Sequence, residues 1–363
     1  MDEEDLKIIK KLEIGGSFMK RIIIKRFISV VLLCVILITV CGCGKTDNQA
    51  YPDASLGVLY STDSGSRSLI EWYDSELNSL GTASYSFSGA SVSQTNAHIQ
   101  DNTIFLAPTG EGQKKDYGKI ALIDPTKGSF EEIDTNRINQ YDCTVEESYL
   151  ALTSNLNGEC FVDLIDISNR DIRSLDISDN SVICTQPILI NGEVYASATD
   201  GDKNYICKCD FTGNRVNIIT ELPDELSTYL EKHGNDLVWI TQGKLVKYNT
   251  ATKKSESINL SSPDALNLNI VGDVVWIAYT DQFDENYYSV IEARNYRTGE
   301  VICIEKFEGA VLQLEADDSH LFVRTYDELI EYSYTNEKLT EQNRLRCEKN
   351  GYYYGGFFYL KGK

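Results

Sequence analysis

Short apolar runs, each closed by a polar turn, recur along the chain from Leu56 to Leu360. The stretch from Asp236 to Asn249, DLVWITQGKLVKYN, shows the unit: an apolar strand, a turn at Gln242 and Gly243, a second strand, then an Asn that opens another turn. The runs GVLYS, TIFLA, YLALT, EVYAS, DLVWI, DVVWI and HLFVR are rich in β-branched and aromatic residues, as strands buried on both faces must be. A second set, LIEWY, IALI, VDLI, ICKC, LVKY, VIEAR and LIEYS, follows them, and each ends at or near a polar marker: Asp74, Asp124, Asp166, Asp210, Asn249, Asn295 and Ser333. Asp and Asn accept hydrogen bonds from backbone groups just downstream, so turn chemistry alone explains these markers.

The markers lie roughly 38 to 50 residues apart, about 43 on average, which is the repeat length of one four-stranded blade. Weaker stretches between units, such as SESINL and ALNLNIVGD, supply the outermost strand of one blade and the innermost strand of the next. The pattern therefore predicts an all-β fold, a seven-bladed β-propeller of four-stranded antiparallel blades, over residues 56–363. The first blade lacks an innermost strand ahead of Leu56, while the spare segment Gly351 to Leu360, GYYYGGFFYL, follows the last copy. That tail is expected to pair with the first blade and close the ring, because an open stack would leave strand edges exposed. One stretch, Leu222 to Lys232, reads either as a helical turn begun at Pro223 or as a loop plus an innermost strand.

The N-terminal segment reads differently. Residues 1–18 fit no targeting pattern, and a start at Met19 is expected, with 1–18 an upstream extension. From Met19 come Lys20, Arg21, Lys25 and Arg26, then an apolar run from Phe27 to Val40, too short for the roughly 20 residues of a bilayer span. The run ends in Val40-Cys41-Gly42-Cys43-Gly44, which resembles the lipobox of bacterial lipoproteins. The resemblance implies a signal peptide at 19–42, cleavage between Gly42 and Cys43, and a diacylglycerol thioether with accompanying palmitate-type acylation at Cys43. Residues 43–55, polar apart from Tyr51 and a few alanines, are expected to form a flexible tether.

Cleavage would remove seven basic and five acidic side chains and move the net charge from −21 to about −23. So acidic a chain repels phosphate backbones and anionic lipid head groups, which argues against nucleic-acid binding and leaves the lipid as the membrane contact. Seven cysteines follow Cys43: Cys143, Cys160, Cys184, Cys207, Cys209, Cys303 and Cys347. An odd number excludes a complete set of bridges within one chain. Most sit in strand-like apolar surroundings as small hydrophobes, with a Cys143 to Cys184 bridge between blades left open.

Chemistry is sparse. His98, His233 and His320 lie on different repeats, and no zinc set is evident among them. His98 falls on an expected innermost strand and is the candidate channel residue. Asp200, Asp202 and Asn204 begin like a calcium loop, but Tyr205 replaces the turn glycine and Phe211 the bidentate Glu. With Asp281, Asp284 and Glu285 in the equivalent hairpin two repeats on, and Glu111 to Asp116 in another, they mark an acidic loop face that is a candidate binding surface. Ser61 to Ser66 resembles the start of an Asp-box, but Arg67 and Ser68 stand where Thr and Trp belong. No phosphate cradle or nucleophile elbow stands out, and no metal or cofactor is expected.

The turns Ile123-Asp124-Pro125-Thr126-Lys127-Gly128 and Asn295 to Gly299 resemble the repeats of YVTN and quinoprotein-dehydrogenase-like propellers. That resemblance implies the fold and not a cofactor. The expectation is a monomeric lipoprotein on the extracytoplasmic face of a Gram-positive membrane, with a propeller that serves as a scaffold for an envelope protein or glycan. The alternative is a lyase or hydrolase with its site in the central channel.

Overall fold

A computed structural model of the chain describes residues 49–62, 67–90, 98–108, 118–137, 139–156, 158–178, 182–223, 229–263, 265–280 and 288–360. All fall in one compact unit, Thr46–Lys363. The leader, Gly42, Cys43, Asp281, Asp284, Glu285 and Glu111 to Asp116 lie outside the described residues. There is no α-helix among the described residues, and hence none long and apolar enough to cross a membrane.

The strands form seven four-stranded antiparallel sheets, one per repeat, and the chain is a seven-bladed β-propeller. Each apolar run of the first set is the second strand of its blade, flanked on both sides within the sheet. In blade 5, Asp236–Thr241 pairs with Lys244–Asn249 through Thr241↔Lys244. The two turn residues, Gln242 and Gly243, both have positive φ (45° and 68°), the mirror-image turn whose twist matches a hairpin.

Six of the seven markers do what their chemistry requires. Asp124 Oδ1 accepts from Thr126 N at 2.9 Å and Lys127 N at 3.1 Å. Asp166 accepts from Ser168 N at 2.9 Å, Asp210 from Gly213 N at 2.8 Å and Asn295 from Thr298 N at 2.9 Å. Asp74 and Asn249 close their turns in the same way. Ser333 does not: the third strand of blade 7 runs through it, Glu328–Thr335, and the turn falls at Asn336 and Glu337, with φ 52° and 61°. Two consecutive left-handed residues make this hairpin.

The ring closes as the tail predicts. Tyr353–Tyr359 is the innermost strand of blade 1 and pairs with Leu56–Ser61 in the register Leu56↔Tyr359 and Val58↔Phe357. Blade 7 holds it from the other side. Gln313 donates from Nε2 to Phe357 O at 2.9 Å and accepts from Phe357 N at 3.2 Å, and buried Arg324 donates from Nη2 to Tyr354 O at 2.6 Å. Gly355 is required here by close approach, since a Cβ would stand 2.7 Å from Ala90 O.

Seven apolar clusters form the core, one at each interface between neighbouring blades. Packing starts ahead of Leu56. Tyr51 is 4 % exposed, stacks obliquely on Trp72 and donates its N–H to Pro125 O at 2.7 Å, so an aromatic ring fastens the end of the expected tether to the domain. Leu222 to Lys232 holds no described helical turn: Leu222 ends the outermost strand of blade 4, and Leu230–His233 is the innermost strand of blade 5. All seven cysteines that follow Cys43 are buried and free. Cys143 and Cys184 belong to different interface clusters, so the bridge left open between them is not formed.

Candidate functional site

The innermost strands of all seven blades face a central cavity of about 690 Å³, a size suited to a small molecule or an inserted side chain. The cavity is lined by consecutive residues of these strands and of the turns that follow them, among them His98 to Asn102 and Thr144 to Glu147. The polar ones fall together there: Asp101, Asp142, Glu146, Glu147, Glu231 and Glu315 against the single ammonium of Lys232. The wall is acidic, and its field favours a cation or a basic side chain over an anion.

Several of these groups are committed to neighbouring blades. Lys232 of blade 5 donates to Glu146 Oε1 of blade 3 at 3.1 Å and to Leu189 O of blade 4 at 3.3 Å, and Glu146 Oε2 accepts from Gly192 N at 3.0 Å. Gln100 Nε2 donates to Glu147 O at 2.6 Å, which joins blades 2 and 3. Asn269 Nδ2 lies 3.4 Å from Glu315 Oε2 and its Oδ1 accepts from Ala316 N at 3.2 Å, which joins blades 6 and 7. These wall residues are thus also fasteners between blades.

His98 sits on the innermost strand of blade 2, His98–Gln100, and lines the cavity. Loss of hydration, helped by the Lys232 ammonium, pushes its pKa down from 6.5 to about 4. A folded value below the unfolded one means that the unfolded chain takes up the proton first. The stability held at neutral pH is therefore lost as pH falls from 6.5 towards 4. Between pH 7 and 4 the wild type is expected to lose of order 2–3 kcal/mol more than His98→Gln. Urea melts at both pH values check this, and equal acid sensitivity would rule it out.

The other histidines lie elsewhere. His233 packs on Tyr296 with ring centroids 4.3 Å apart, and His320 Nδ1 lies 3.3 Å from Asp317 Oδ1. On the loop face, Asp200 Oδ1 accepts from Asp202 N at 2.9 Å and Lys203 N at 2.7 Å, and Oδ2 accepts from the Tyr205 hydroxyl at 2.6 Å. Those bonds, led by Tyr205, hold its carboxyl below the usual range. Asn204 opens the third strand of blade 4 and pairs with Thr199. The same face, which carries the turns between second and third strands, also carries Tyr326, 73 % exposed.

A second cavity, of about 770 Å³, opens between the outer parts of blades 3, 4 and 5, with Arg173, Lys208 and Lys253 at its walls and Cys209 among its lining residues. The acidic channel wall and this cavity are not apparent from any single motif. The one signal for the channel is that the innermost stretches TVEE, LEKH and QLEA each carry a Glu.

No family model matches the chain, and no curated protein matches it. Among solved structures it is similar to a 6-phosphogluconolactonase-like protein of Bacteroides uniformis, at 11 % identity and TM-score 0.56 over 82 % of this chain and 97 % of that one. It is similar also to Hsv2 of Kluyveromyces lactis, at 10 % identity and TM-score 0.52 over 83 % and 98 %. Apo AztD of Citrobacter koseri matches at 8 % identity and TM-score 0.51 over 84 % and 98 %. At such identities the likeness is one of fold.

Proposed function

We propose that the chain is an extracytoplasmic lipoprotein, tethered through Cys43, whose propeller is a binding scaffold for an envelope protein or glycan. The observation that carries this reading is the use made of the channel's polar groups. Lys232, Glu146, Gln100 and Asn269 hold neighbouring blades together, a rigidifying role. A rigid ring with variable turns on one face is suited to contact; Tyr326 on blade 7 shares that face with the acidic turn of Asp200 and Asp202 on blade 4, and offers an aromatic anchor of the kind enriched at interfaces. The chain's charge of −21 favours a basic partner.

Crosslinking on intact cells that express the tethered protein, read by mass spectrometry, tests the reading. One dominant envelope component is expected, and its recovery should fall at least about tenfold with Tyr326→Ala, the range of an interface hot spot. No component that depends on Tyr326 or on the loop face would overturn the scaffold. Lipid labelling that persists in Cys43→Ala would overturn the tether.

A further inference from the structure

Three of the buried cysteines converge. Cys184 lies on the innermost strand of blade 4, Ile183–Ile190, and Cys207 and Cys209 on the third strand, Asn204–Asp210. The strand between them, Glu193–Thr199, places Ala198 opposite Cys184 and Ala196 opposite Cys207. These two alanines occupy the same face of the sheet, and their small side chains let the sulfurs meet above them. All three Sγ atoms lie within 4.8 Å of one another, and Cys184 Sγ is 3.9 Å from Cys207 Sγ. A zinc-class ion with metal–sulfur bonds of about 2.3 Å spans sulfurs about 3.8 Å apart at a tetrahedral edge.

A disulfide does not account for the cluster. Strands two apart in a sheet are separated by about 9.5 Å, beyond the roughly 7 Å that a bridge tolerates between Cα atoms. Cys184 therefore cannot join Cys207 or Cys209 without displacing the strand between them. Cys207 and Cys209 lie on one strand with parallel side chains, a poor geometry for a bridge. A lone buried thiol serves as a small hydrophobe, but three drawn from two non-adjacent strands to one point form a ligand set.

We propose that Cys184, Cys207 and Cys209 form a structural site for a thiophilic divalent cation of the zinc and cadmium class. Three thiols lose their protons to solvent and three sulfur–metal bonds form, which leaves a net charge of −1 at the site. A monovalent ion would leave −2 in the same apolar surroundings, at a much greater desolvation cost. Cys160, on the third strand of blade 3, packs in the same interface cluster but is not one of the three converging sulfurs. Cys209, 4 % exposed and on the lining of the second cavity, marks the side from which the ion enters.

Cadmium is the probe, added to the reduced full chain in detergent with Cys34→Ser, Cys41→Ser and Cys43→Ser so that only the domain's thiols remain. The expected result is ultraviolet thiolate-to-cadmium absorption that saturates at one equivalent with release of three protons. Cys207→Ser should weaken binding at least about a hundredfold, Cys184→Ala likewise, and Cys303→Ser on blade 6 not at all. If a variant does not fold, the second readout is thiol alkylation of the folded parent chain, in which cadmium should protect these three cysteines and leave Cys303 unchanged. The proposal is overturned if no absorption develops even when cadmium is present throughout refolding, or if the same absorption remains in both Cys184→Ala and Cys207→Ser.

Discussion

Deletion of Gly351 to Lys363 is expected to abolish cooperative folding of the whole domain, not merely to fray one end. The deleted segment supplies the innermost strand of blade 1, Tyr353–Tyr359. Phe357 and Phe358 are fully buried, Leu360 is 4 % and Tyr359 9 % exposed. At about 1.5–3 kcal/mol for each buried side chain, these four account for roughly 6–12 kcal/mol, as much as the 5–15 kcal/mol that holds a typical domain folded. The loss extends to blade 7. Gln313 would lose both of its bonds to Phe357, and the Arg324 guanidinium would lose the carbonyls of Tyr354 and Gly355 while its own burial holds it from water. Near-ultraviolet circular dichroism during urea unfolding is the measurement. A truncated chain with a wild-type transition would show that the ring does not depend on its tail. Phe357→Ala, a milder form of the same change, should cost about 3–5 kcal/mol.

Blade number, strand order and closure were legible in the sequence because each rests on local chemistry that repeats. An Asp or Asn after an apolar strand can cap only the turn that follows it, and seven apolar runs can be buried on both faces only between blades. Where the local signal changes, the sequence is ambiguous. Ser333 occupies the marker position but is a weak acceptor, and Asn336 and Glu337 make the turn through backbone conformation instead. The acidic start of LPDELSTYLEK suits a helix N-terminus, yet Leu230 to His233 pairs with Asp236–Thr241 because the blade needs an innermost strand there. Tyr51 lies in a polar stretch, and only the groove beside Trp72 and Gly81 makes it a packing residue.

Sites built from several blades are less legible, since residues more than a hundred positions apart meet only after the ring closes. His98 could be placed on an innermost strand from its position in the repeat. Its nearness to Lys232 could not, because that depends on how far each strand protrudes towards the axis. Cys207 and Cys209 read as a same-face pair on one strand, and the arrival of Cys184 depends on a register in which two alanines fall between them. Alternation gives the face of a residue, whereas pairing register decides its neighbours.

Pairing decides the second large effect as well. Arg137, in the segment between blades 2 and 3, donates from Nε to Asp163 Oδ2 at 2.6 Å and from Nη2 to Asp163 Oδ1 at 2.9 Å. It donates also to Ser174 Oγ at 2.9 Å, and its guanidinium lies 3.6 Å from the centroid of the Phe161 ring. The partners are unequally placed: the Asp163 side chain is 0 % exposed and that of Arg137 20 %. Arg137→Ala therefore strands a carboxylate with no path to water and should cost about 3–5 kcal/mol. Asp163→Ala leaves a guanidinium that can turn towards solvent and should cost about 1–2 kcal/mol less. The double substitution Arg137→Met with Asp163→Leu should recover most of the loss, since two apolar groups of similar volume leave no charge to desolvate. Urea unfolding of the two alanine variants, the wild type and the double variant at pH 7 measures all of this. If the two alanine variants were equally destabilised, Arg137 would be holding Asp163 by packing rather than by charge.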